Sequence, residues 1–144
     1  MSSVLITGSN RGLGLEFARQ CLADGWRVFA TCRDPAAADQ LQHLAKSSGD
    51  KLTIIEMDVT DAASVRKAAT QIKDVAIDVI INNAGITGVS GQRPGNIDYD
   101  SWTRVINVNT HGTPSGPGSL CRALDAQRAQ ACGEYHERHG FACR

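Results

Sequence analysis

The run Thr7-Gly8-Ser9-Asn10-Arg11-Gly12-Leu13-Gly14 follows directly on the apolar stretch Val4-Leu5-Ile6 and leads into Leu15-Glu16-Phe17-Ala18, which has helix periodicity. A strand that empties through a glycine-rich turn into a helix is a strong constraint on a fold. Glycines at 8, 12 and 14 permit a sharp turn, close approach of a ligand to bare backbone, and tight helix–strand packing. The unpaired N–H groups and the dipole of the new helix then face an anion. A nucleotide phosphate is the first expectation.

The remaining pattern extends this unit. Strands are expected at 4–6, 27–31, 52–57 and 76–81. Helices are expected over 13 to about 24, 36–47 with Pro35 at the start, 61 to about 73, and 99 to about 109. A loop with four glycines and one proline spans 85–95. Strands alternating with helices imply βαβ units and a parallel sheet. Right-handed crossovers arrange that sheet as 3-2-1-4. In this order the loop after strand 4, Asn82-Asn83-Ala84-Gly85, emerges beside the glycine turn at the topological switch point, where such folds bind ligands. The fold class is therefore α/β, a Rossmann-type half-domain with helices flanking the sheet.

The bulk numbers narrow the function. The 144 residues suffice for one domain, and 15 basic against 15 acidic residues give no net charge to grip nucleic acid. No apolar run approaches a membrane span, and no basic-plus-apolar leader opens the chain, so a cytoplasmic protein is expected. Five cysteines, an odd number, argue against a disulfide framework, and Cys21 and Cys32 sit among apolar residues as small core side chains.

Together, Thr-Gly-x-x-x-Gly-x-Gly at 7–14 and Asn-Asn-Ala-Gly at 82–85 resemble the signatures of the short-chain dehydrogenase/reductase family. Residues 8–17 look most like its C-factor and carbonyl-reductase-like branch, and the resemblance covers residues 3–113. It implies an NAD(P)(H)-dependent oxidoreductase acting on a small carbonyl or alcohol. By the same resemblance, Gly8, Gly12, Leu13 and Gly14 shape the pyrophosphate turn, and Ser9, Asn10 and Arg11 line the adenosine ribose side. Asp58 and Val59 hold the adenine, Asn83, Ala84 and Gly85 pass close to the cofactor ribose, and Asn109 supports a water in a proton relay. The neighbouring Asn107 competes for that last role.

Cofactor choice turns on charge near the adenine 2′ position. Strand 2 ends Thr31-Cys32-Arg33-Asp34, and the resemblance puts Cys32 where an NAD-selecting acid would stand. Arg33 and Arg11 favour NADP(H). Asp34, 20 residues beyond Gly14, is at the usual distance for a ribose-binding acid and keeps NAD(H) open.

The family's chemistry also needs a tyrosine, a lysine four residues later that favours its phenolate, and a serine on the next strand. No lysine follows Lys73, Tyr135 is followed four residues on by His139, and Ser115 and Ser119 lie in the breaker run Pro114-Ser-Gly-Pro-Gly-Ser. Residues 114–144 contain no Val, Ile, Lys, Asn, Thr or Met but hold five Ala, four Arg, four Gly and three Cys. Such a shift is what a GC-rich gene encodes out of frame. The segment is expected to be an aberrant, irregular tail that leaves the oxidoreductase truncated and catalytically incomplete. That makes a nucleotide-binding module, or a product with no stable activity, the alternative reading. Cys132-x3-His136-x2-His139-x3-Cys143 matches no usual zinc module, so no metal is expected. The family-type dimer is in doubt because Pro114 breaks the helix that helps build it.

Overall fold

The computed structural model describes residues 1–111. The tail from 114, with its cysteines, histidines and Tyr135, lies outside the described residues. Four strands, β1 (Ser3–Ile6), β2 (Arg27–Cys32), β3 (Leu52–Glu56) and β4 (Val79–Ile81), alternate with four helices. These are α1 (Gly12–Ala23), α2 (Asp39–Ser48), α3 (Ala62–Gln71) and α4 (Tyr99–Ile106). All pairings are parallel and the strand order is β3-β2-β1-β4, as expected. In register, Leu5 lies between Phe29 and Ile80.

Both faces of the sheet are covered, which is why the strands read as continuous apolar runs. Val4, Ile6, Val28 and Ala30 pack with Leu15 and Ala18 of α1 and Leu41 of α2 on one face. Leu5, Phe29, Ile55 and Met57 pack with Val65, Ala68 and Ala69 of α3 on the other. Within the described residues β4 ends the sheet, its Val79 exposed. No helix among them is long and apolar enough to cross a membrane.

The differences from expectation are local and have visible causes. β4 starts at Val79 rather than 76 because Ser3 takes over the pairing below it. The Ser3 hydroxyl donates to the Ala76 carbonyl, and the Ser3 N–H donates to Asp78 Oδ2 at 2.8 Å. α2 starts at Asp39 rather than 36. Asp34 Oδ1 accepts the N–H groups of Ala36 (3.0 Å) and Ala37 (3.1 Å), forming a turn ahead of the helix. Asp61 caps α3 from outside it, accepting the Ala63 N–H at 2.9 Å. α4 does not run evenly to 109, because it widens into a π turn over Asn107–His111.

Candidate functional site

Two loops at the carboxyl end of the sheet are stitched together. The Thr7 N–H donates to the Ile81 carbonyl at 3.0 Å, continuing the β1–β4 ladder by one residue. Thr7 Oγ1 then accepts the N–H groups of Asn83 (3.0 Å) and Ala84 (2.9 Å). In return, Asn83 Nδ2 donates to the carbonyls of Thr7 and Gly8, both at 3.0 Å. Gly8 has φ of 67°, and a Cβ there would stand 2.8 Å from the Ala84 Cα. A Cβ on Gly14 would collide with the Gly8 carbonyl and Asn83 Nδ2. Gly12, with φ of 57°, is different: a Cβ there meets no protein atom within 4 Å.

The helix that follows has an open N-terminus. Its N-cap, Arg11, makes no side-chain capping bond, and its first turn carries no acid. By contrast α3 and α4 are capped by Asp61 and Asp98. The first N–H groups of α1 are thus left for an external acceptor.

These loops border a cavity of about 1020 Å³. Gly8, Asn10, Arg11, Gly12 and Leu13 form one side. Cys32, Arg33 and Asp34 line it from the end of β2, and Met57, Asp58, Val59 and Thr60 from the end of β3. Asn83, Ala84, Gly85 and Ile86 follow β4, and Asp100, Thr103, Arg104, Asn107 and Val108 form a wall from α4 and the π turn. Most residues singled out from the sequence converge here, but Ser9, Gly14 and Asn109 are not on the cavity wall. Ser9 is fully buried, its hydroxyl donating to the Ile6 carbonyl at 2.8 Å and its N–H to the Thr31 carbonyl at 2.9 Å. It braces the turn from behind. Gly14 is the packing contact just described. Asn109 spends its amide on the loop after β4: Oδ1 accepts the Ile86 N–H at 2.8 Å, and Nδ2 donates to the Ile86 carbonyl at 2.9 Å. Its side chain holds α4 against that loop.

Charge is unevenly committed around the cavity. Asp34 is used by its own turn, whereas the guanidinium groups of Arg11 and Arg33 make no hydrogen bond or ion pair among the described residues. Asp58 Oδ1 accepts the Thr60 N–H (2.8 Å) and hydroxyl (2.6 Å). Burial pushes the Asp58 carboxyl up, but the Thr60 hydrogen bonds and the charges of Arg33 and Arg104 outweigh it and hold it below the usual aspartate value. Burial, with Asp34 and Glu56 nearby, pushes the Cys32 thiol up, so it stays neutral. Sequence reasoning did not find Thr7 as the stitch or the α4 wall. The wall residues 100, 103, 104 and 107 do repeat at helix spacing, but which end of the sheet α4 overhangs is a matter of tertiary structure.

The family model for short chain dehydrogenases matches residues 2–131. The chain belongs to the short-chain dehydrogenase family. Human retinol dehydrogenase 5 is 38% identical over 113 residues, which are 76% of this chain and 34% of that protein. A probable NADP-dependent dehydrogenase of Dichelobacter nodosus is 36% identical over 109 residues, 74% of this chain and 98% of that one. Among solved structures, the NADPH-bound carbonyl reductase from chicken fatty liver superposes with a TM-score of 0.74 at 37% identity, covering 93% of this chain and 51% of that one. The carbonyl reductase of Pseudomonas aeruginosa PAO1 in complex with NADP gives 0.76 at 32% identity, covering 88% and 56%. This short-chain dehydrogenase chain thus spans about a third of retinol dehydrogenase 5 and about half of the carbonyl reductases.

Proposed function

We propose that the cavity binds NADP(H), and that the chain is the cofactor-binding part of an oxidoreductase acting on a small carbonyl or alcohol. The observation that carries the cofactor choice is the division of charge at the end of β2. Asp34, the residue able to accept from ribose hydroxyls, has its Oδ1 committed to the Ala36 and Ala37 N–H groups. Arg33 and Arg11 border the same cavity, and their guanidinium groups make no hydrogen bond or ion pair among the described residues, although the charge of Arg33 also reaches Asp58. A 2′-phosphate answers two arginines without hydrogen-bond partners better than a bare hydroxyl does. The pyrophosphate is assigned to Gly12, Leu13 and the uncapped start of α1, where Gly12 leaves room for it. Asp58 and Val59 would hold the adenine, and Asn83, Ala84 and Gly85 the neighbouring ribose. The open N–H groups at the start of α1 and the space a Cβ at 12 would fill both suit a dinucleotide.

When bound, the nicotinamide gives or takes a hydride. Proton transfer needs a group of the protein, and the 144 residues contain no Tyr-x-x-x-Lys. We therefore propose that these 144 residues alone bind the cofactor without turning over a substrate. The NAD(H) reading rests on Asp34, which borders the cavity while capping its turn. Titrating the chain with NADPH and NADH by nicotinamide fluorescence tests binding, and an aldehyde and ketone assay tests turnover. Turnover abolished by Tyr135→Phe would overturn the proposal of catalytic incompleteness.

A further inference from the structure

Helix α4 stands apart from the other three. α1, α2 and α3 each press buried residues onto the sheet, whereas no residue of α4 is buried. Among the described residues, neither apolar cluster includes a side chain beyond Ile81. The attachments of α4 run to the loop after β4 instead. Asn109 grips Ile86 through both ends of its amide, and Ser101 Oγ accepts the Val89 N–H at 3.3 Å. A Cβ built on Gly88 would stand 3.3 Å from Val105 Cγ2, so loop and helix are closely packed. Across the cavity the charge of Arg104 reaches Asp58, but no hydrogen bond or ion pair among the described residues joins the α4 wall to α1 or to the ends of β2 and β3.

Loop and helix are thus one body, and that body forms one wall of the cavity. Its link to the sheet is short. The Ala84 N–H is held by Thr7 Oγ1 at 2.9 Å, Ile86 is held by Asn109, and only Gly85 lies between. A segment with few buried apolar contacts opens at low cost, and a hinge is a few loop residues that absorb the backbone change. We propose that α4 and the loop from Ile86 form a lid on the cavity, hinged at Gly85 and fastened by Asn109, that closes on a bound dinucleotide. The inference rests on the dinucleotide reading of the cavity and adds how the ligand is enclosed. The glycine turn and the ends of β2 and β3, anchored in the core, receive the cofactor, and the α4 wall then closes over it.

Residue-resolved amide exchange of the full chain, free and with NADPH, tests the lid. In the free chain the amides of Ile86, Val89 and α4 exchange together, at least about a hundredfold faster than those of β1 and β2. Asn83 and Ala84, on the sheet side of the hinge, stay protected. Saturating NADPH slows the lid amides as a group by at least about tenfold. Asn109→Ala quickens all of them by about fivefold, as loss of the fastening requires. Lid amides as protected as the strands in the free chain, a protection boundary away from Gly85, or an Asn109→Ala effect confined to Ile86 would each overturn the lid. So would NADPH that protects the start of α1 and leaves α4 unchanged, in which case the dinucleotide reading stands and the lid alone fails. NADPH that protects neither overturns the dinucleotide reading, and the proposal falls with it.

Discussion

Replacing Gly8 by alanine tests the stitch between the two site loops. Two costs add at this position. The backbone has φ of 67°, where an L side chain is strained by about 1–2 kcal/mol. The new Cβ also falls 2.8 Å from the Ala84 Cα, a backbone atom held by Thr7 Oγ1 and unable to swing aside. Forcing a methyl into such a contact costs about 1–3 kcal/mol. The total of about 2–5 kcal/mol is a large share of the roughly 5–15 kcal/mol that holds a domain together. Gly25→Ala is the control. It carries the same conformational strain at φ of 79° but meets no atom within 4 Å. In urea denaturation Gly8→Ala should therefore lose about 1–3 kcal/mol more than Gly25→Ala, read as a lower midpoint at unchanged slope. Gly12→Ala, at φ of 57° with no protein neighbour, should match Gly25→Ala in stability. Its methyl borders the cavity, however, so it should bind NADPH more weakly where Gly25→Ala does not. A Gly8→Ala protein no less stable than Gly25→Ala would refute the close approach of Gly8 and Ala84.

Further outcomes follow from the same geometry. Asp58 has a folded-state pKa below its ordinary value, so the stability it contributes is present above that ordinary value and is lost as pH falls through the lowered one. Asp58→Asn should flatten the acid limb of a stability–pH curve, and an unchanged limb would contradict the Thr60 and arginine environment. Asn109→Ala removes both bonds to Ile86 and should cost about 1 kcal/mol. Amide exchange at Ile86 should quicken, and retained protection there would show that α4 is anchored otherwise. Reading the gene in its other frames after codon 113 should reveal a strand with a serine followed by Tyr-x-x-x-Lys. Their absence from both frames would dispose of the frameshift proposal.

The order of elements and the 3-2-1-4 sheet were legible because alternation and crossover handedness leave few choices. The glycine turn was legible for the same kind of reason: only a few backbone conformations take a strand into a helix over so short a span. What escaped depends on neighbours distant in sequence. Nothing around Thr7 announces that its hydroxyl will receive two N–H groups from 83 and 84. Ser3 shortens β4 from 75 residues away. Asp34 has a second use that its spacing does not announce. Its distance from Gly14 keeps it open as a ribose-binding acid, while one of its oxygens, Oδ1, also closes a local turn. Ser9 likewise belongs to the motif, but its hydroxyl faces the core.

Calorimetry of the full chain with NADPH and NADH, repeated on Arg33→Ala, addresses the cofactor site most directly. NADPH should bind at least about tenfold tighter than NADH, as a charge-assisted phosphate contact provides. Arg33→Ala should bring the two affinities together by weakening NADPH alone. Equal affinities in the unmodified chain, or a preference for NADH, would contradict the assignment of Arg33 and return the choice to Asp34.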